Sequence, residues 1–436
     1  MNGGRDYPLT FEQESLWIAE RFAIGPSPYT ENWAYRLSGR LDTGALTSAL
    51  KRIAARHPAL RSQFILIGDS VVQRVRPSAT LVIEQADWRG KDPDEELRRA
   101  AMRLLDIQEA VVRACLFEVA PNDHILLVQC HHIVVDDYSF DVLSAEFKSL
   151  YTSAVGGEPA ELPAPATSPG EYAADQRARG ISASSLDYWA RYLDGCEPLR
   201  DLPPARRPLP ARRSGRGGRV AAAVDGDVAL RLRDRARSMR TTPTVALATS
   251  LGMAVAGTVG AGDIVIGQAV SRRGPAILDG VFGCFTDVMP LRLRTTQEST
   301  FGDLCRSAKR DVIATLSHRD VPWADIAKRL PTTRGALPGS DLIRVVMVVE
   351  EGTRLTLPGL ECERIYVTPA AVKFDWCVFV VAEGGDYSCY VDYASDNFTP
   401  GEAGLALRQW TRTLAEVSAN PDLTVADLGR MLASDG

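Results

Sequence analysis

The stretch Gln129-Cys-His-His-Ile-Val-Val-Asp-Asp-Tyr-Ser-Phe140 sets two adjacent histidines just ahead of two carboxylates, and it holds two of the five histidines in 436 residues. Upstream, His124, Leu126, Val128, Cys130 and His132 fall on one face of a half-buried strand and Ile125, Leu127, Gln129 and His131 on the other. The spacing predicts that the two histidines point in opposite directions. Downstream, Phe140, Leu143, Phe147, Leu150 and Tyr151 recur at helical spacing. The histidines and Asp136 are therefore expected where a strand ends and a helix begins, a junction that opens onto crevices and favours chemistry. Two strand neighbours that point apart cannot both chelate one ion, so no metal site is expected here.

Outward from this stretch the pattern is mixed α/β. Thr10 to Gln13 reads as a capping box opening a helix that runs to Phe22 and buries Phe11, Trp17 and Ile18. A strand at 34–37, a helix carrying Leu46, Leu50, Ile53 and His57, and a hairpin turning at Gly68-Asp69 follow. Strands at 81–84 and 114–119 and a helix at 93–105 lead to the histidine strand. Pro, Ala, Gly and Glu dominate residues 156–169, which mark a linker. Two lobes are expected, residues 1–175 and 176–436. Early in the second, Pro203 to Arg219 holds six arginines, a solvated connection or a contact for an acidic partner or a phosphate.

In the second lobe Thr242-Pro243 caps a helix that Gly257 is placed to end. A strand at 263–270, a glycine-punctuated crossing through Val281 to Arg292, and a helical stripe of Phe301, Leu304, Ala308, Val312 and Leu316 come next. Strands at 343–349, 374–381 and 387–393 precede a last helix at 400–417. Length beyond one ordinary core, 45% hydrophobic and 24% charged residues describe a globular protein of two domains or more. A net charge of −5 argues against general binding of nucleic acid or anionic membrane. The eight scattered cysteines lack zinc spacing and read as reduced core thiols, and with no apolar signal or spanning run the expected place is the cytoplasm.

Taken in order, these motifs resemble the condensation domains of nonribosomal peptide synthetases, within the chloramphenicol acetyltransferase-like superfamily, over nearly the whole chain. Leu9 to Trp17 is similar to the family's first motif, and Arg56 to Phe64 to its Arg-His-x-x-Leu-Arg-x-x-Phe motif. His131 to Asp137 resembles His-His-x-x-x-Asp-Gly. Gly267 to Arg273, Gly283 to Arg292 and His318 to Trp323 match three later motifs. The resemblance implies two α/β lobes in a V shape around a central tunnel. It implies His132 as the catalytic residue, supported by His131 and by a structural Asp136 whose arginine partner is expected to be Arg61. Tyr138, Ser139, Gly283, Asp287 and Trp323 become candidates for the substrate tunnel.

The activity so implied is transfer of an acyl or peptidyl group from a carrier protein's phosphopantetheine thioester to an amine, in antibiotic or other secondary metabolism. No cofactor is expected to be bound by the chain itself. The donor partner is a carrier protein; the acceptor is a second carrier or a small free amine or alcohol, and the enzyme is expected to be monomeric. Without a Gly-x-Ser-x-Gly elbow, direct transfer is expected rather than an acyl-enzyme. Ester formation, a coenzyme A-dependent acyltransferase, an epimerisation domain and a catalytically silent recruitment module stay open as alternatives. Met1 opens a plausible native start, which fits a free-standing enzyme better than an excised domain. Three departures from the family pattern stand out: Asp137 for glycine, Asp287 for asparagine and Trp323 for phenylalanine. Asp137 is expected to cap the helix that follows, or to add a carboxylate beside the tunnel.

Overall fold

A computed structural model describes residues 4–22, 25, 27–79, 81–199, 202, 214–260, 262–274, 276–330, 342–352 and 354–434. The first part of the chain runs β1 (Arg5–Tyr7), α1 (Phe11–Phe22), β2 (Thr30–Gly39), α2 (Thr43–Arg56), a 3-10 turn at Pro58–Arg61, β3 (Ser62–Ile67), β4 (Ser70–Val75) and β5 (Ile83–Asp87). It continues with α3 (Pro93–Ala101), β6 (Val112–Ala120), β7 (Asp123–His131), a 3-10 turn at His132–Val134, α4 (Asp137–Gly156) and α5 (Pro169–Arg179).

The predicted capping box is present: Gln13 N–H donates to Thr10 Oγ1 at 3.1 Å and Thr10 N–H to Gln13 Oε1 at 3.0 Å. The buried face of α1 is not the expected one. Ile18 is exposed and Trp17 only half-buried, whereas Glu12 and Gln13 are almost wholly buried. Their partners explain this. Arg272 Nη1 lies 3.1 Å from Glu12 Oε1, Gln176 Nε2 donates to Glu12 Oε2 at 3.2 Å, and Gln13 Nε2 donates to the Ile133 carbonyl at 3.2 Å. A buried carboxylate is tolerable only when so paired, and these partners lie far along the chain, beyond the reach of a periodicity argument. Helix α5 falls in the stretch next to the expected linker; its second capping box, Ser168 with Glu171, signals it.

The rest comprises α6 (Ala183–Tyr192), β8 (Gly217–Val224), α7 (Gly226–Ser238), α8 (Pro243–Val259), β9 (Gly262–Ser271), β10 (Thr286–Thr295), α9 (Phe301–Leu316) and α10 (Trp323–Ala327). Then follow β11 (Val345–Glu351), β12 (Leu360–Ile365), β13 (Trp376–Glu383), β14 (Asp386–Ala394), α11 (Pro400–Ala419) and α12 (Val425–Ala433). The expected helix end at Gly257 is corrected: α8 continues to Val259 and Gly260 closes it at φ +94°. Gly257 instead faces α12 closely: a Cβ there would lie 3.3 Å from the Gly429 nitrogen, and one on Gly429 would lie 2.7 Å from the Gly257 carbonyl. Most of the arginine-rich loop, residues 203–213, lies outside the described residues.

The chain divides into two compact units, and a single cut at 175 does not separate them. Unit 1 is Met1–Gly180 with Ser271–Thr286 and Thr353–Thr368; unit 2 is Ile181–Val270, Asp287–Gly352 and Pro369–Gly436. Unit 1 holds the sheet β12-β2-β7-β6-β5 and the small sheet β1-β4-β3. Its core gathers Trp33, Leu46, Leu50, Ile53, Phe64, Leu126, Phe147 and Tyr151. Helix α4 is fixed on the sheet partly by a buried tryptophan whose Nε1–H finds Ser144 Oγ at 3.1 Å, from Trp33. Unit 2 holds the six-stranded sheet β10-β9-β11-β13-β14-β8, parallel from β9 to β13 and antiparallel after it. Helix α8, apolar nearly all round, lies in the core of that unit, as an all-round apolar helix must.

All eight cysteines are free thiols. Burial pushes Cys305 and Cys389 up to about 12, which keeps them protonated and inert. Among the described residues no single helix is long and apolar enough to cross a membrane.

Candidate active site

Strand β7 ends at His131, one residue earlier than the alternation suggested, because the chain turns into a 3-10 helix at His132. The turn is held on three sides. His131 N–H donates to the Val111 carbonyl at 2.8 Å, His132 N–H to the Tyr29 carbonyl at 2.7 Å, and Gln13 takes the Ile133 carbonyl. Ile133, Val134 and Val135 are wholly buried, so the turn is a plug of β-branched side chains carrying the two imidazoles.

The imidazoles differ in environment and in tautomer. His131 is fully buried, and its Nδ1 accepts the Ile133 backbone N–H at 3.1 Å, which leaves the ring proton on Nε2. That nitrogen stands 3.7 Å from Glu20 Oε2. Burial alone would raise Glu20, but the nearby His131 ring and the bond from Ser27 Oγ, at 2.7 Å, outweigh it and hold the carboxyl below its usual range. His132 is partly exposed. Its Nδ1 lies 2.7 Å from the Val135 carbonyl, an atom that can only accept, so the proton sits on Nδ1 and the neutral ring carries its lone pair on Nε2. The Cys284 sulfur lies 4.0 Å from the same Nδ1.

Asp136 closes the turn and opens α4. Its Oδ1 accepts Ser139 N–H at 3.0 Å and Ser139 Oγ–H at 2.7 Å, a capping box that satisfies the first helical turn. The cap is therefore Asp136. Asp137, expected as the capping residue, is the exposed first residue of the helix, where a negative charge suits the helix N-terminus. It has no positive φ, so the glycine of the family motif is not demanded here by backbone conformation.

The arginine paired with Asp136 is Arg273, which corrects the expectation of Arg61. Arg273 Nε meets Asp136 Oδ2 at 3.0 Å and Nη2 meets Oδ1 at 2.9 Å, a bidentate pair with both side chains almost wholly buried. The same guanidinium donates to the carbonyls of Leu278 at 3.0 Å, Val281 at 2.8 Å and Gly283 at 3.1 Å, and lies 4.5 Å from the ring centres of both Tyr138 and Phe285. The Phe285 N–H completes the set, donating to Asp136 Oδ2 at 3.1 Å. Ser139 and Gly283, expected to line a tunnel, are joined to each other within this knot: Gly283 N–H donates to Ser139 Oγ at 3.1 Å. Arg61 donates instead to the Arg76 carbonyl.

Sequence reasoning missed Arg273, Arg272 and Glu12. Arg273 ends the Gly267 to Arg273 motif, so it was visible; nothing in local spacing ties it to a carboxylate 137 residues away. Two further candidates, Asp287 and Trp323, meet in unit 2, where Trp323 N–H donates to Asp287 Oδ2 at 2.8 Å at the start of α10. His318 braces α6: its Nδ1 lies 3.0 Å from Ser185 Oγ and its ring stacks on Tyr188 at 4.0 Å. His57, read as a core histidine, is buried with Nε2 2.8 Å from Glu146.

A family model described as Condensation domain matches residues 4–434. Phosphinothricin tripeptide synthetase PhsC of Streptomyces viridochromogenes is 28% identical over 97% of this chain and 40% of its own length. Malpinin synthetase of Mortierella alpina is 28% identical over 90% of this chain and 5% of its own. The chain thus spans well under half the length of these relatives. Among solved structures, the X-domain in complex with OxyB from teicoplanin biosynthesis superposes with a TM-score of 0.84 at 25% identity, covering 97% of this chain and 96% of that one. The condensation domain from the monacolin K polyketide synthase MokA gives 0.83 at 21%, covering 97% and 99%.

Proposed function

The chain belongs to the condensation-domain family, whose chemistry is in general acyl transfer with amide-bond formation, and on that premise we propose that it joins an acyl or peptidyl group to an amine. The donor is a thioester on the phosphopantetheine arm of a carrier protein, which reaches the site as substrate. Amine attack on the thioester carbonyl forms the C–N bond and breaks the C–S bond; the proton lost by the amine passes to His132 Nε2 and from there to the departing thiolate, which leaves as the thiol and returns the ring to neutral. The observation that carries this reading is the His132 turn: a ring whose Nδ1 proton is held by the Val135 carbonyl, beside a carboxylate locked by Arg273. No covalent adduct on the protein is needed, since holding donor and acceptor together supplies much of the rate.

The test is incubation with acyl-loaded carrier protein and a panel of amines and alcohols, read by intact mass and product analysis, beside His132→Ala. Transfer that survives the substitution, or an acyl group trapped on the protein, overturns the reading. Transfer to alcohols alone would replace amide by ester formation. One observation favours a second reading, a docking module that holds another protein: the likeness to the X-domain carries a higher identity than that to the MokA condensation domain. No transfer to any nucleophile, with His132 intact, would select it.

A further inference from the structure

Arg61 takes no part in the Asp136 knot. It lines a cavity of about 410 Å³ in unit 1 together with Arg5 and Arg56; Tyr7, Pro77 and Thr167 are among the other lining residues. The cavity is built by β1, the C-terminal end of α2, the 3-10 turn and the start of α5. Gly170 makes the wall possible, because a Cβ there would lie 2.5 Å from the Tyr7 ring.

The charges around this cavity do not balance. Arg56 is paired with Glu146, Nε to Oε1 at 2.9 Å. Arg61 makes no ion pair among the described residues; it donates to the Arg76 carbonyl, and its Nε–H is buried without a hydrogen-bond acceptor. Arg5 makes no ion pair among the described residues; its guanidinium carbon lies 4.8 Å from the Tyr7 ring centre. The single lining carboxylate, Glu171, is bonded to Ser168 N–H and Ser168 Oγ, both at 3.0 Å, in the α5 capping box. With one lining carboxylate already held in a helix cap and neither Arg5 nor Arg61 ion-paired among the described residues, an anion in the cavity would balance charge that the protein leaves unmatched.

We propose that this cavity is a binding site for a small phosphate-bearing molecule, held by the guanidinium groups of Arg5 and Arg61. Guanidinium forks match phosphate oxygens geometrically, and two such groups suit a dianion better than a single carboxylate. The cavity is larger than a phosphate ion, which favours an organic phosphate over the free ion. The site does not involve the His132 turn, so it stands or falls independently of the proposed transfer activity.

The experiment titrates inorganic phosphate and glycerol 3-phosphate into the full chain at constant ionic strength, with chloride as control, reading melting temperature and calorimetric heat. A saturable rise in Tm with either phosphate and none with chloride is expected, and tighter binding of the ester identifies the organic source. Arg5→Gln and Arg61→Lys should each weaken binding by about tenfold, while His132→Ala leaves it unchanged. Arg5 lies on an exposed short strand, so its variant remains informative if Arg61→Lys is unstable. No saturable effect of either phosphate, or binding that persists in Arg5→Gln, overturns the proposal.

Discussion

Each unit contains a buried arginine–aspartate pair, and the two serve different ends. In unit 1 Arg273 and Asp136 sit directly beneath the turn that carries both histidines. In unit 2 Arg344 Nε meets Asp375 Oδ2 at 2.6 Å, with both side chains at most 2% exposed, and Asn397 Nδ2 donates to the other carboxylate oxygen at 2.6 Å. Arg344 also takes the Leu199 carbonyl, and its own carbonyl accepts the Trp376 N–H. The second pair therefore ties the entries of β11 and β13 and the segment after β14. Its chemistry is the same, yet among the described residues its hydrogen-bond partners Leu199 and Asn397 include no imidazole. Burial of an ion pair marks a place where the fold must be specified; what makes one of the two a candidate site is the titratable ring it positions.

That contrast can be broken by substitution. Asp136→Ala and Asp375→Ala should each cost about 3–5 kcal/mol, because each strands a buried guanidinium; urea midpoints measure this. The two should part in function. Folded Asp375→Ala protein is expected to transfer acyl groups at near the parent rate per folded molecule, and Asp136→Ala is not. An Asp136→Ala protein that melts normally and loses only rate would show that this pair is not structural at all. Arg61→Ala, by the same comparison, should leave the Asp136 knot intact and cost far less than Arg273→Ala; equal losses would restore Arg61 as the partner.

A second prediction concerns chemistry without folding. His132→Ala should lower the transfer rate by about 10²–10⁴-fold with an unchanged melting temperature, the usual reach of a single proton-transfer group. His131→Ala should do the reverse in kind, destabilising the protein, since it empties a fully buried site and removes the acceptor of the Ile133 N–H. If both variants melted normally, the separation of roles between the two rings would fail.

The smallest expected effect lies at Glu146, further along α4. Burial raises this carboxyl, but bonds from His57 and Arg56 outweigh burial and hold it below the usual glutamate range. A folded-state value below the unfolded one adds stability that is present at neutral pH and lost as pH falls through the folded value. Wild type and Glu146→Gln should therefore differ in urea midpoint at neutral pH and converge as pH falls below the ordinary glutamate range. A difference that stays constant across this range would remove the charge from the explanation.

Much of this was legible beforehand. The capping box at Thr10, the hairpin at Gly68, the helical stripes and the histidine motif are all local patterns; the Ser168 box is as local, but it lay at the end of a stretch read as linker. Short-range physics writes them into the sequence: alternation, helical period and side-chain caps need no knowledge of the rest of the chain. The His132 turn at a strand–helix junction, the fold class and the family resemblance follow from them.

Only the tertiary structure decided which arginine meets Asp136, that α1 buries Glu12 and Gln13 in place of Ile18, and that residues 271–286 and 353–368 return to unit 1. It also decided that Asp136, not Asp137, caps α4. The first three rest on partners brought together across more than 100 positions, as for Arg273 and Asp136, where any of 50 basic residues could have served. A charge pair has no periodicity to betray it. The sequence named the histidine; the packing of distant segments chose what holds it.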